Sequence, residues 1–146
     1  MIRLNLPEFE YKVKKTSGKV SIFDIIRKKY VVLTPEEWVR QSMVHFLIGS
    51  LGYPRSLIKI ETGLKYNSLA KRSDILVYDR EASPFLLIEC KTFQFPINQK
   101  ALDQLGIYNN TIAAPYMALT NGLKHYCFEM KKGQNAPLDS FPEFPA

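Results

Sequence analysis

The chain has little of what marks several protein classes. Its 146 residues hold two cysteines, two histidines and one tryptophan. Cys90 and Cys127 are too few for a disulfide framework and, alone, too few for a structural zinc site. Both sit in apolar runs, which fits reduced, buried thiols. His45 and His125 stand apart from any ligand-like spacing and read as packed or solvent-facing side chains. No apolar stretch approaches the roughly 20 residues that span a bilayer, and Met1 to Glu10 has no signal-peptide apolar run. The expectation is a soluble cytoplasmic domain with no membrane contact. There is no internal repeat and no low-complexity tract. Nor is there a Gly-x-x-x-x-Gly-Lys-Ser/Thr motif, so no P-loop ATPase resides in this stretch.

What is present is an ordinary globular composition, with 46% hydrophobic, 12% aromatic and 23% charged residues. A domain of this length buries roughly two-thirds of the surface its unfolded chain exposes, enough to fold without staples. Charge is unevenly spread. Lys and Arg number 20 against 14 acids, a net +6. Residues 1–30 hold eight of the bases and three of the acids, so they carry +5 and the remainder +1. A basic edge on a near-neutral body suits a polyanion partner and suits plain solubility equally.

Three parts are expected along the chain: a basic strand or hairpin extension over 1–33, a main domain over 34–130, and a proline-containing tail over 131–146. Thr34-Pro35-Glu36-Glu37 opens a helix, with Thr34 as N-cap, Pro35 at the first helical position and Glu37 placed for a capping box. Val39, Met43, Phe46 and Leu47 form its apolar face, and Gly49 to Pro54 stops it. Strands are expected at Leu57–Glu61, Asp74–Tyr78 and Phe85–Lys91, the last two joined as a hairpin by the breaker-rich Asp79 to Pro84. A second helix runs from about Asn98 to Ala113 on Ala101, Leu105, Tyr108 and Ile112. Two more strands, Tyr116 to Thr120 and His125 to Glu129, flank Asn121-Gly122, a turn signal. Pro137, Pro142 and Pro145 predict a loosely ordered tail. The resulting order, α-β-β-β-α-β-β, is an α/β sandwich with a mixed sheet flanked by helices.

The chemistry concentrates between Asp74 and Lys91. Glu89 and Lys91, two apart on one strand, project to the same face. In the hairpin, Asp74 falls opposite the far end of that strand and can share a site with Glu89. Two converging carboxylates repel unless a cation or proton lies between them, and Mg²⁺ suits such an oxygen-rich site. Lys91 beside it could orient or deprotonate a water or neutralise charge on a phosphate. The same three residues also fit surface ion pairs. Gln104 and Tyr108, four apart, share a helix face directed at one cleft, or are a solvated glutamine and a core tyrosine. Glu37 is either a further acid or only the partner of the Thr34 cap.

Asp74…Glu89-Cys90-Lys91 resembles the signature of the PD-(D/E)xK nuclease superfamily, and the element order is similar to that family's αβββαβ restriction-endonuclease-like core. Leu33 to Gln41, Gly52-Tyr53-Pro54, Arg72 to Tyr78 and Ala118 to Gly122 are similar to the N-terminal nuclease domain of type I restriction enzyme R subunits. The resemblance covers about residues 24–130. Gln104-Leu105-Gly106-Ile107-Tyr108 also resembles the Gln-x-x-x-Tyr element of the RecB-like branch. The resemblance implies that Asp74 and Glu89 ligate Mg²⁺, with Mn²⁺ as a substitute and the Cys90 carbonyl as a further ligand. Lys91 would assist the attacking water, Gln104 and Tyr108 would position the DNA backbone or support the site, and Glu37 matches the helix acid of many members. The implied reaction is metal-dependent phosphodiester hydrolysis in DNA.

R subunits continue into a helicase-like ATPase that this sequence lacks. The expectation is a free-standing endonuclease or one that borrows specificity from a helicase or specificity subunit, with a homodimer suited to cutting two strands. The alternative is a nucleic-acid-binding or assembly module that keeps the fold without catalysis; a third reading is a structural protein with no nucleic-acid role.

Overall fold

The computed structural model of the chain describes residues 1–64, 72–132 and 134–146, with the side chains of 61–64 and 72–74 outside that description. Three short strands come first, β1 (Val13–Thr16), β2 (Lys19–Asp24) and β3 (Lys29–Val32). They form a three-stranded antiparallel sheet. Helix α1 (Pro35–Gly49) follows, then a 3-10 turn at Arg55–Leu57 and strands β4 (Ile58–Leu64), β5 (Arg72–Tyr78) and β6 (Pro84–Cys90). Helix α2 (Gln99–Ile112) leads to β7 (Tyr116–Thr120), β8 (His125–Lys131) and β9 (Gln134–Leu138).

Both helices start where their sequences direct. Thr34 accepts a hydrogen bond from the Glu37 amide at 3.0 Å and Pro35 fills the first turn. Asn98 caps α2 by accepting from the Ala101 amide at 3.0 Å. Each satisfies one of the amides that a helix start leaves without an internal partner. Helix α2 ends on Ala113 at φ 61°, and Asn109 brackets the exit by pairing with both the amide and the carbonyl of Ala114, each at 3.0 Å.

The second sheet runs β4-β5-β6-β7-β8-β9. Every neighbouring pair is antiparallel except β6 and β7, which are parallel because α2 carries the chain back across the sheet. The expected α/β class and the β5–β6 hairpin are both present. The sheet is covered on both faces, so β6 is apolar at nearly every position. Leu86, Ile88 and Cys90 pack with Val39, Met43, Val44 and Leu47 of α1. Leu87 packs on the other side with Leu105 and Tyr108 of α2, together with Leu76, Met117 and Leu119. Leu4 and Ile22, from the N-terminal segment, join the α1 cluster.

One expectation is extended and another corrected. The N-terminal extension is a full three-stranded sheet, because Asp24 closes a second turn. Its Oδ1 accepts from the amides of Ile26 and Arg27 at 2.7 and 2.9 Å, an Asx turn that the charge pattern did not disclose. The turn between β7 and β8 spans Asn121 to Lys124 as expected, with Asn121 Oδ1 accepting from the Leu123 and Lys124 amides. Finally, the tail is ordered. Pro137 sits in β9, an edge strand, where a missing N–H is tolerated. Beyond it Phe141 packs against Phe46 and Phe144 against Tyr53 and Phe85, at centroid distances of 5.7, 5.4 and 5.7 Å. The Tyr53 hydroxyl donates to the Pro142 carbonyl at 2.5 Å. Proline reads as a breaker in sequence, whereas the aromatic partners that hold this tail lie far away in the chain.

Candidate active site

The end of β6 carries the pair on which a site can be built. Glu89 is the only acid of β6 and is 4% exposed, on the face that Leu87 gives to α2. Its Oε2 lies 3.0 Å from the Nζ of Lys91. Lys91 stands one residue beyond β6, and its amide donates to the Thr120 carbonyl at 2.8 Å, so the backbone under the lysine is fixed to the end of β7. The ammonium also lies 4.9 Å from the centroid of Phe95, within cation–π range. Phe95 closes a turn onto the Thr92 carbonyl, and Asn121 Nδ2 donates to the Phe95 carbonyl at 2.7 Å. Asn121, read from sequence only as a turn former, therefore also braces the loop beneath Lys91.

Asp74 lies directly opposite Glu89 in the β5–β6 register. Residues so paired on antiparallel strands have Cα atoms roughly 4.5–5.5 Å apart. The side chain of Asp74 lies outside the described residues. On its other flank Asp74 pairs with Glu61 of β4, a position the sequence reading missed, because the β5–β6 hairpin fixes the register of those two strands only. Three acidic positions thus occupy one rung across β4, β5 and β6. Among the described residues no group of three or more His, Cys, Asp or Glu side chains is gathered for a metal, and the Asp74 and Glu61 side chains are outside that set. The Cys90 side chain belongs to the α1 core cluster, so only its carbonyl oxygen is a candidate ligand.

The structure takes Glu37 elsewhere. Its Oε2 accepts from Arg27 Nη2 and Gln41 Nε2, both at 2.8 Å, and its Oε1 accepts from Arg40 Nη1. Asp24, fully buried, accepts from Arg27 Nε at 2.5 Å and Gln41 Nε2 at 3.0 Å through Oδ2. Burial alone would raise the Asp24 pKa, but the Arg27 amide, the Arg27 guanidinium and Gln41 outweigh it and hold the carboxyl below its ordinary value. The Thr34 half of the capping box is made, while the Glu37 side chain joins this network instead of turning back to Thr34. Asp24, Arg27, Arg40 and Gln41 were not singled out from sequence; polar residues at 37, 40 and 41 inside a buried helix were the available signal. Of the α2 residues, Tyr108 is buried in the cluster around Leu87 and Gln104 is exposed one turn earlier.

No helix is long and apolar enough to cross a membrane among the described residues. Comparison with curated proteins and with solved structures gives no match. The family model described as the type I restriction enzyme R protein N terminus matches residues 35–145. That span runs from the first residue of α1 through the aromatic tail and includes Asp74, Glu89, Lys91, Gln104 and Tyr108; the three-stranded sheet precedes it. The chain belongs to the family of the type I restriction enzyme R protein N terminus.

Proposed function

We propose that this domain is an endonuclease that hydrolyses phosphodiester bonds in DNA with a divalent cation, Mg²⁺ or Mn²⁺. The observation that carries the reading is the buried Glu89 carboxylate, paired with Lys91 at 3.0 Å and matched in register with Asp74. A carboxylate held among apolar side chains is costly unless its charge is used or balanced, and here a cation already stands beside it. The family points the same way, toward a nuclease-related role.

The donor set fits a hard cation. Asp74, Glu89 and the Cys90 carbonyl offer only oxygen, the donor type that Mg²⁺ and Mn²⁺ select. Such an ion, when bound, supplies Lewis acidity toward the phosphate and a more acidic water. The chain's own groups do the rest. Lys91 Nζ, which is 31% exposed on its side chain, hydrogen-bonds the attacking water and offsets negative charge growing on the phosphoryl oxygens. Glu89 and the Phe95 ring fix where that ammonium sits. Gln104, exposed on α2, contacts the DNA backbone, and Tyr108 supports the helix that presents it.

The test is nicking of supercoiled plasmid by the purified protein. Metal-dependent nicking that falls by about 10²–10⁴-fold in Lys91→Ala supports the reading. A folded wild-type protein that leaves plasmid intact in both Mg²⁺ and Mn²⁺ overturns it in favour of a binding or assembly module. That second reading draws on one observation: seven of the basic residues precede β3, outside the span shared with the family. In it the domain holds DNA for a helicase or specificity subunit. Under the first reading, two-strand cutting calls for a homodimer.

A further inference from the structure

A groove of about 600 Å³ lies between the turn that joins β2 to β3 and the start of β4. Arg27 and Lys28 come from the turn, Arg55 from the 3-10 turn and Lys59 from β4, with the buried Ile58 and half-buried Ile60 also in the lining. No carboxylate is among the lining residues. Arg27 is balanced by Asp24 and Glu37, but Lys28, Arg55 and Lys59 are exposed like charges around one groove and repel one another. A ligand that relieves this repulsion is a polyanion with a face that tolerates apolar contact.

The walls are built before any ligand arrives. Asp24 holds the turn through the amides of Ile26 and Arg27, and the Lys28 amide donates to the Asp24 carbonyl at 2.7 Å. Arg27 is aimed by Asp24 and Glu37, whereas Lys28, Arg55 and Lys59 are exposed. Ordering the turn backbone in advance lowers the cost of binding. The floor is also an approachable edge, since β4 has no strand on its outer side among the described residues. Along β4, Lys59 stands two residues before Glu61, which pairs with Asp74, which pairs with Glu89, whereas Ile58 and Ile60 join the cluster on the α1 face.

We infer that this groove is a track for the DNA backbone along the outer edge of β4, with phosphates on Lys28, Arg55 and Lys59 and a sugar or base face against the half-buried Ile60. The inference rests on the proposed DNA substrate and adds where that substrate is held. It also gives the N-terminal sheet a role, because one wall of the groove lies before the family span begins.

The test is a fluorescence-anisotropy titration of a labelled duplex DNA in EDTA, across a salt series. Lys28→Ala/Arg55→Ala/Lys59→Ala is compared with Lys14→Ala/Lys15→Ala/Lys19→Ala, which removes the same charge from exposed positions of β1 and β2. Loss of at least tenfold in affinity relative to that control is expected. The slope of log K against log salt should fall by about two to three, near 0.9 per lost phosphate contact. Affinities within twofold of each other overturn the inference, as does tighter binding of a duplex RNA of equal length. Lys59→Glu alone, at an exposed site, serves as a second variant if the triple variant lowers Tm. Because no metal is present, failure of the catalytic reading is separable: a protein that binds through the groove but never nicks overturns only catalysis. One that nicks plasmid yet loses nothing on groove substitution overturns only the track.

Discussion

Glu89 and Lys91 form an ion pair of unequal burial, the carboxylate side chain 6% exposed and the lysine 31% exposed. The acid faces the protein and the base faces solvent. Glu89→Gln removes the charge but keeps the shape, so it should cut DNA hydrolysis by about 10²–10⁴-fold while Tm holds or rises. Cleavage rates and thermal unfolding of the same preparation separate the two effects.

Glu37 makes the opposite prediction. It balances Arg27 and Arg40 inside the fold, so its removal leaves Arg40, itself 2% exposed, with much less compensation. Glu37→Ala should lose about 3–5 kcal/mol of stability, the usual result of breaking a buried pair from one side. Urea unfolding followed by Trp38 fluorescence measures it. A change below about 0.5 kcal/mol, the range of ordinary surface substitutions, would return Glu37 to the list of active-site acids.

The helices and central strands are legible in the sequence because each carries its own signals. Thr34-Pro35 opens α1, Ala101, Leu105, Tyr108 and Ile112 carry the helical period of α2, and the apolar run at 85–88 marks a core strand. The Glu89–Lys91 pair is legible for the same reason, since period-two geometry is local. The Asp24–Arg27–Glu37–Arg40–Gln41 network is not, because it needs a turn in one sheet to meet a helix beyond the next strand. The packing of Phe141 and Phe144 is hidden likewise, as their partners Phe46, Tyr53 and Phe85 cannot be inferred from any window of sequence around them.

Acid should destabilise the domain in two stages. Burial, with help from Arg55, lowers the His45 pKa more than Asp24 raises it. As pH falls below the unfolded histidine value of about 6.5, the unfolded chain therefore takes a proton that the folded one refuses. The Asp24 carboxyl is likewise lowered in the fold. Its contribution is complete above the unfolded value of about 3.9 and is lost as pH falls through the lower folded value. In both windows the unfolded state binds more protons, so stability rises with pH. Tm measured from pH 3 to 8 should climb in both ranges, and His45→Gln should flatten only the upper one.

Gly122 is a position where a methyl group cannot enter. Its φ is +86°, and an added Cβ would lie 2.8 Å from Leu4 Cδ2 and 3.1 Å from Val39 Cγ2. Its carbonyl accepts from the Asn5 amide at 2.8 Å, so the same residue docks the N-terminal segment. Gly122→Ala should cost about 1–3 kcal/mol through overpacking and backbone strain. Proteolysis should show earlier cleavage near residues 1–9 than in the wild type.

The central claim is that the rung shared by Asp74 and Glu89 cuts DNA. The most direct measurement is the initial rate of plasmid nicking by Asp74→Ala beside wild type, at equal concentration in Mg²⁺, with circular dichroism confirming equal folding. The account predicts a loss of about 10³-fold or more, the scale of removing a group essential to the chemistry. An Asp74→Ala protein that nicks as fast as wild type would contradict it.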